Sequence, residues 1–358
     1  DHYPTHTRQG RRAQRQPLRT VVDSPLDCSH RACGVTDVDN EQVRLRIADS
    51  LPRPIAYVLG GGASYGAVQV GHLRALAETD ITPDFVVGTS VGSLNGAILA
   101  EHPATAHERL NDLWGSMTRQ AVFGKMLGTA LNVAKGKASA VPSTGLRAVI
   151  ENAVQARTFD ELMLPLTAVT TDFDTGEPVP LTSGDLVSAL LASAAIPLVF
   201  PPVQRGNRKL VDGGVVANVP ISIAADQGAQ TIVVLDCGFT VMAPEQESTA
   251  TGRLLRTAAI MAAQQVRRDL RTVEDRVVLY LPGPWPMRGR PDDFRRSNDN
   301  AATTYDLTRF DSDEAFAGRF AEALSRIVGE QLEAPAQVRE VLAGIGLPFD
   351  YARLGQPL

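Results

Sequence analysis

Cysteine is scarce in this chain of 358 residues. Its three, Cys28, Cys33 and Cys237, are too few and too unevenly spaced for a disulfide framework, which points to a reducing compartment. Cys28, His30 and Cys33 lie close together, but a structural zinc site takes four ligands and no fourth is near, so no metal and no cofactor are expected. Histidine is also sparse: the six are His2, His6, His30, His72, His102 and His107, and none follows position 107. No apolar run approaches the roughly 18 residues of a membrane-spanning helix, and the N-terminal stretch lacks the charged-then-apolar pattern of a secretory signal. A cytoplasmic protein is therefore expected. Basic charge is in deficit too: a net charge of -5 argues against bulk electrostatic binding to nucleic acid and makes any membrane contact local and transient.

Enough apolar material is present, 44% of residues, for one large α/β domain or two modest ones. Residues 1–51 stand apart, with Arg8, Arg11, Arg12, Arg15 and Arg19 in "TRQGRRAQRQPLR" and no apolar period, which reads as a solvated arm or linker. From residue 55 short β-rich runs alternate with helical periods, the grammar of a mostly parallel central sheet flanked by helices. Strands are expected in "IAYVLG", "PDFVVG", "LTAVTTD", "PVPLT", "TIVVLD" and "RVVLYLP", with longer helices over 253–273 and 312–332 and a Pro/Gly-rich connector at 283–291. A catalytic domain over 52–330 is expected, with a helical tail over 331–358.

Two glycine-rich stretches carry the chemistry. "VLGGGASYGAVQVGHLRAL" places Gly60, Gly61 and Gly62 between a strand and a helix, yet Tyr65 breaks the dinucleotide fingerprint and Ala67 replaces the lysine of a phosphate-binding loop. What remains is a turn of small residues at a helix N-terminus, where N–H groups favour negative charge. "FVVGTSVGSLNGAIL" contains Gly88-Thr89-Ser90-Val91-Gly92, a G-x-S-x-G with strand before and helix after. That context makes Ser90 a candidate nucleophile on a sharp turn, which Gly88 and Gly92 permit.

A serine nucleophile needs a base. With no late histidine, and with His102 and His107 at or past the far end of the helix that Ser90 starts, the base is expected to be a carboxylate or lysine. Asp172, Asp212 and Asp236 each end a β-like run; Asp172 sits beside the turn Asp174-Thr175-Gly176, and Asp212 precedes Gly213 and Gly214, which admit a close neighbour. Spacing does not choose between Asp212 and Asp236.

These motifs, in this order from about 55 to 240, together with "FDELMLPLTAVTTDFDTGEPVPLTSGDLVSALLASAAIPLVFPPV" and "LVDGGVVANVP", resemble the patatin-like phospholipase family. The resemblance implies a three-layer fold, a Ser90–Asp212 dyad without histidine, and an oxyanion hole of glycine-loop amides, with Gly61 and Gly62 the leading donors and Gly60 and Ala63 beside them. The chain departs from the family pattern at two places: Ala63 stands where the family usually has glycine, and Tyr65 where it has Arg or Lys. The implied activity is hydrolysis of phospholipid or lysophospholipid acyl esters. Acyl transfer to another acceptor shares the dyad, and a lipid-binding module without turnover is the reading that Ala63 and Tyr65 motivate. Over residues 121–141 an apolar stripe including Val122, Phe123, Met126 and Leu127, with Lys125, Lys135 and Lys137 elsewhere, fits either a core-covering helix or a lid at a lipid surface.

Overall fold

The structure, a computed structural model, describes residues 51–79, 81–124, 141–238, 250–273, 275–281, 283 and 291–308. The Arg-rich arm, the Cys28–His30–Cys33 group, the greater part of the 121–141 stripe, the 312–332 helix and the 331–358 tail fall outside these residues.

Among the described residues eight strands form one sheet: β1 (Ile55–Leu59), β2 (Phe85–Thr89), β3 (Leu166–Asp172), β4 (Pro178–Leu181), β5 (Val203–Arg205), β6 (Arg208–Asp212), β7 (Thr231–Leu235) and β8 (Val277–Leu281). The path across it is β5-β6-β3-β2-β1-β7-β8, with β4 paired to β3. Pairs β1–β2, β2–β3, β1–β7 and β7–β8 are parallel, while β3–β4, β3–β6 and β5–β6 are antiparallel. The expected strands are all present within a residue or two of their ends. Continuous apolar runs such as "IAYVL" and "TIVVL" are explained by burial on both faces, since every residue of β1 and β7 is buried.

Alternation along these strands divides the interior in two. Ile55, Tyr57 and Leu59 point into one core, packed by helices α1 (Val68–Ala77), α2 (Val91–Glu101), α3 (Ala106–Ser116), α5 (Thr144–Ala153) and α6 (Leu186–Ser193). The short helix α4 (Arg119–Phe123) closes the same side, with Val122 buried and the Phe123 ring stacked on Phe200 at 5.7 Å. Ala56 and Val58 face the other core with α7 (Ile221–Asp226) and α8 (Ala250–Thr272). Helix α9 (Ser297–Thr308) packs on α1.

The pairing around β3 fixes where the chemistry goes. One edge is held by β4 from Ala168 to Thr171. The other is held by β2 only up to Val169, and from Thr170 onward by β6 running the opposite way. The two strands therefore meet end to end, with Thr89 at the end of β2 and Asp212 at the end of β6. Strand order also reverses at β1, between β2 on one side and β7 on the other, the place where open α/β sheets leave a crevice at the carboxyl ends of their strands.

Burial depth separates structural from exposed apolar positions here. Ile232 on β7 has 0% exposure and Ile260 on α8 has 48%. Ile232→Ala is expected to cost about 3 kcal/mol in urea denaturation and Ile260→Ala less than about 0.5 kcal/mol; equal effects would contradict this layering.

Candidate active site

Ser90 sits between β2 and α2 at φ 55° and ψ -125°, a backbone conformation that a residue with a Cβ adopts only under strain. Close packing holds it there. A Cβ on Gly92 would strike the carbonyl oxygen of Leu59, and one on Gly88 would strike that of Gly92, so the turn is tight because both residues are glycine. The Ser90 N–H donates to Ser193 Oγ at 2.9 Å, and the Ser193 hydroxyl donates in turn to Val169 O at 2.6 Å. Ser93 Oγ donates to Ser90 O at 2.6 Å, and Thr89 Oγ1 to Ala217 O at 2.7 Å.

The Ser90 hydroxyl donates to Asp212 Oδ2 at 2.6 Å. Asp212 Oδ1 accepts the Gly214 N–H at 2.7 Å, and its backbone is pinned on both sides, the N–H to Ala195 O and the carbonyl by Thr171 Oγ1. A Cβ on Gly213 would collide with Val169 O, so the turn after Asp212 can lie against β3 only with glycine there. Both members of the pair are buried, with 6% exposure at Ser90 and 5% at Asp212. Desolvation raises the Asp212 carboxyl from the usual 3.8 to about 6, although the Ser90 and Gly214 hydrogen bonds pull it down.

The other candidates are elsewhere. Asp172 accepts from the Asp174 and Thr175 amides as the head of its turn. Asp236 accepts the Tyr280 hydroxyl at 3.0 Å. His102 caps the far end of α2, and His72 is buried within α1. Asp212 alone of these meets Ser90.

The glycine loop corrects one expectation. The N–H of Gly60 donates to Leu235 O at 3.2 Å and that of Gly61 to Asn218 O at 2.9 Å, so neither amide is available to an oxyanion. The amides of Gly62 and Ala63 have no acceptor among the described residues. Ala63 lies at φ 51°, in the left-handed region where glycine is favoured, and lines a cavity together with Ser90. Tyr65 is buried against Val68 and Cys237, an apolar setting in place of a surface cation.

A buried polar braid that the sequence reading did not pick out fixes the loop. Gln69 Nε2 donates to Gly60 O and Leu235 O, Asn95 Nδ2 to Gly66 O and Gln69 Oε1, and Trp114 Nε1 to Asn95 Oδ1. Asn218 adds a clamp, its side chain donating to Gly61 O at 3.4 Å. The available signal was a polar residue inside an apolar helical run: Gln69 between Val68 and Val70, and Asn95 after Leu94.

The cavity beside Ser90 is apolar and measures about 60 Å³, walled by Leu94, Trp114, Phe123, Leu146 and Phe200 among others. An open pocket of about 600 Å³ shares Trp114, Met117 and Phe294 with it and carries Arg119, Asp292, Asp293 and Arg295. Among the described residues no group of His, Cys, Asp and Glu could hold a metal ion.

Residues 57–225, which span the loop, the elbow and Asp212, match the patatin-like phospholipase family. These residues form a patatin-like phospholipase domain, just under half of the chain. The patatin-like phospholipase domain-containing protein 7 of Mus musculus is 34% identical over 188 residues, covering 51% of this chain and 14% of that protein. Lysophospholipase NTE1 of Mycosarcoma maydis is 29% identical over 188 residues, covering 51% of this chain and 10% of that protein. The chain thus spans a small fraction of the length of these curated relatives. A crystal structure of VipD from Legionella pneumophila covers 82% of this chain and 74% of its own at 12% identity and a TM-score of 0.35.

The raised Asp212 value has a thermodynamic consequence. Because the folded-state value exceeds the unfolded one, the carboxyl's contribution to stability is complete below about pH 4 and is lost as pH rises through about 6. Asp212→Asn is free of that loss. Its stability relative to the native chain is expected to improve between pH 4 and pH 8 by up to about 3 kcal/mol in paired denaturant titrations; a pH-independent difference would contradict the desolvated carboxyl.

Proposed function

We propose that the protein is a serine acyl hydrolase of lipid esters, with phospholipid or lysophospholipid as the substrate class. The observation that carries this reading is the 2.6 Å hydrogen bond from a strained elbow serine to a buried carboxylate. The match of residues 57–225 to the patatin-like phospholipase family and the similarity to a relative named as a lysophospholipase support it. The domain organisation proposed with it is a catalytic domain over 52–330, preceded by an arm over 1–51 and followed by a tail over 331–358.

In the proposed mechanism Asp212 takes the Ser90 proton as Oγ attacks the ester carbonyl, and the amides of Gly62 and Ala63 receive the oxyanion. The N-terminus of α2, which begins just after Ser90, adds its dipole to that stabilisation. The acyl carbons next to the ester meet the apolar wall of the small cavity beside Ser90, and the rest of the substrate extends into the wider pocket. Collapse of the tetrahedral intermediate expels the alcohol, which leaves with the proton from Asp212. Water then attacks the acyl-enzyme with Asp212 again as base, releasing the fatty acid and restoring Ser90. A carboxylate already desolvated and raised to about 6 is a stronger base than an exposed one, and this substitutes in part for the absent imidazole.

A panel of lipid esters on the native chain tests the reading directly. Ser90→Ala is expected to lose hydrolysis by at least about 1,000-fold, and Asp212→Asn by about 100- to 10,000-fold. Full activity in either variant would overturn the dyad, and formation of a new ester in place of free fatty acid would favour the acyltransferase reading.

A further inference from the structure

The space beside Ser90 is small for an acyl site. It measures about 60 Å³, against the roughly 300–1,000 Å³ of pockets that enclose a drug-sized ligand, while the open pocket next to it measures about 600 Å³. Among the described residues Trp114, Met117 and Phe294 border both spaces. These three stand between the small space and the large one.

They are not equivalent. Trp114 is locked, because its Nε1 donates to Asn95 Oδ1 at 3.1 Å and a Cβ on Gly66 would lie 2.7 Å from its Cζ2. Met117, at the C-terminal end of α3, has an unbranched side chain that adapts to whatever it meets. Phe294 arrives from the segment after β8, beyond the residues that match the family, on the single turn Phe294–Arg296. Its ring is buried, stacked on Trp114 at 6.0 Å and 17° and tilted against Phe123 at 6.4 Å and 57°, and Phe123 stacks in turn on Phe200. Taking that ring away would leave an apolar gap between Trp114 and Phe123, both of which also wall the cavity at Ser90.

The ring is held in place from three sides. The Ser64 N–H, one residue past Ala63, donates to Pro291 O at 2.9 Å; Arg119 Nε on α4 donates to Asp292 Oδ2 at 3.1 Å; and Ser297 Oγ donates to Phe294 O at 2.8 Å. Polarity changes across it as well. Apart from Ser90 the small cavity is lined by aliphatic and aromatic side chains, whereas the wide pocket carries Arg119, Asp292, Asp293 and Arg295. An acyl chain that outgrows the cavity thus meets a seated ring, and beyond it a charged wall. Rejecting one methylene too many in such a site is worth about tenfold or more in kcat/KM.

We propose that Phe294 determines the acyl-chain length that the site accepts: its ring closes the space beside Ser90, so short acyl groups fit and longer ones must displace it. The proposal rests on the acyl-hydrolase reading for the reaction. It narrows the substrates to esters whose scissile acyl group is short.

The test measures kcat/KM on p-nitrophenyl esters with acyl groups of about 4, about 8 and about 12 carbons, for the native chain and for Phe294→Ala, Phe294→Leu and Phe294→Trp. The quantity read is the ratio of the middle ester to the shortest, which a general loss of folded protein leaves unmoved. The native chain is expected to favour the shortest ester. Phe294→Ala is expected to raise the ratio by at least about tenfold, Phe294→Leu to raise it by less, and Phe294→Trp to lower it; the leucine variant carries the test if the alanine variant melts early. One ratio shared by all four proteins, or a native preference for the longest ester, would overturn the proposal. Alkyl fluorophosphonates of matching chain length, which label a reactive serine without turnover, separate it from the hydrolase reading. Labelling of Ser90 whose chain-length order shifts with residue 294, in a protein that hydrolyses no ester, would keep the role of Phe294 and remove that reading. Hydrolysis with a chain-length order indifferent to residue 294 would do the reverse.

Discussion

The end-to-end meeting of β2 and β6 along one edge of β3 is the constraint on which the site depends. A parallel strand stops at Val169 and an antiparallel one starts at Thr170, so the last residues of two strands from opposite directions share one point. That junction places a hydroxyl and a carboxylate in contact with no loop to position either. Ser193 reinforces it by accepting from the Ser90 amide and donating to Val169, tying α6 to the same junction. Rigid elements hold such geometry better than loops do.

Burial at the junction has a cost and a use. Asp212 is removed from water, which disfavours its charged form, and only two hydrogen bonds offset that. In the proposed mechanism the same desolvation favours transfer of the serine proton to the carboxylate. Positive φ at Ser90 and at Ala63 falls at the same place, for both residues line the cavity beside the pair.

Much of this was legible in the sequence. The strand runs, the elbow at Ser90 and the shortage of histidine all follow from residue pattern, because two-sided burial leaves continuous apolar strands and a sharp turn demands small residues. The choice of Asp212 over Asp236 was not legible from spacing: both end strands, and only the antiparallel return of β6 brings one of them to Ser90. That two of the four expected oxyanion donors, Gly60 and Gly61, are already engaged was not legible for a similar reason. Gly60 and Gly61 look as free as Gly62 in the sequence, but their amides are taken by carbonyls of Leu235 and Asn218, which lie more than 150 positions away in the chain. The braid of Gln69, Asn95 and Trp114 is likewise a matter of tertiary contact, marked in the sequence only by polar residues at core positions.

The central claim is that a desolvated Asp212 carboxylate activates Ser90. The most direct measurement is the rate at which a fluorophosphonate labels the protein as a function of pH, with the adduct located by peptide mass spectrometry. The account predicts a single adduct on Ser90, a rate that rises through an inflection near pH 6, and loss of that inflection together with most of the rate in Asp212→Asn. An adduct on another residue, or the same pH dependence in both proteins, would contradict it.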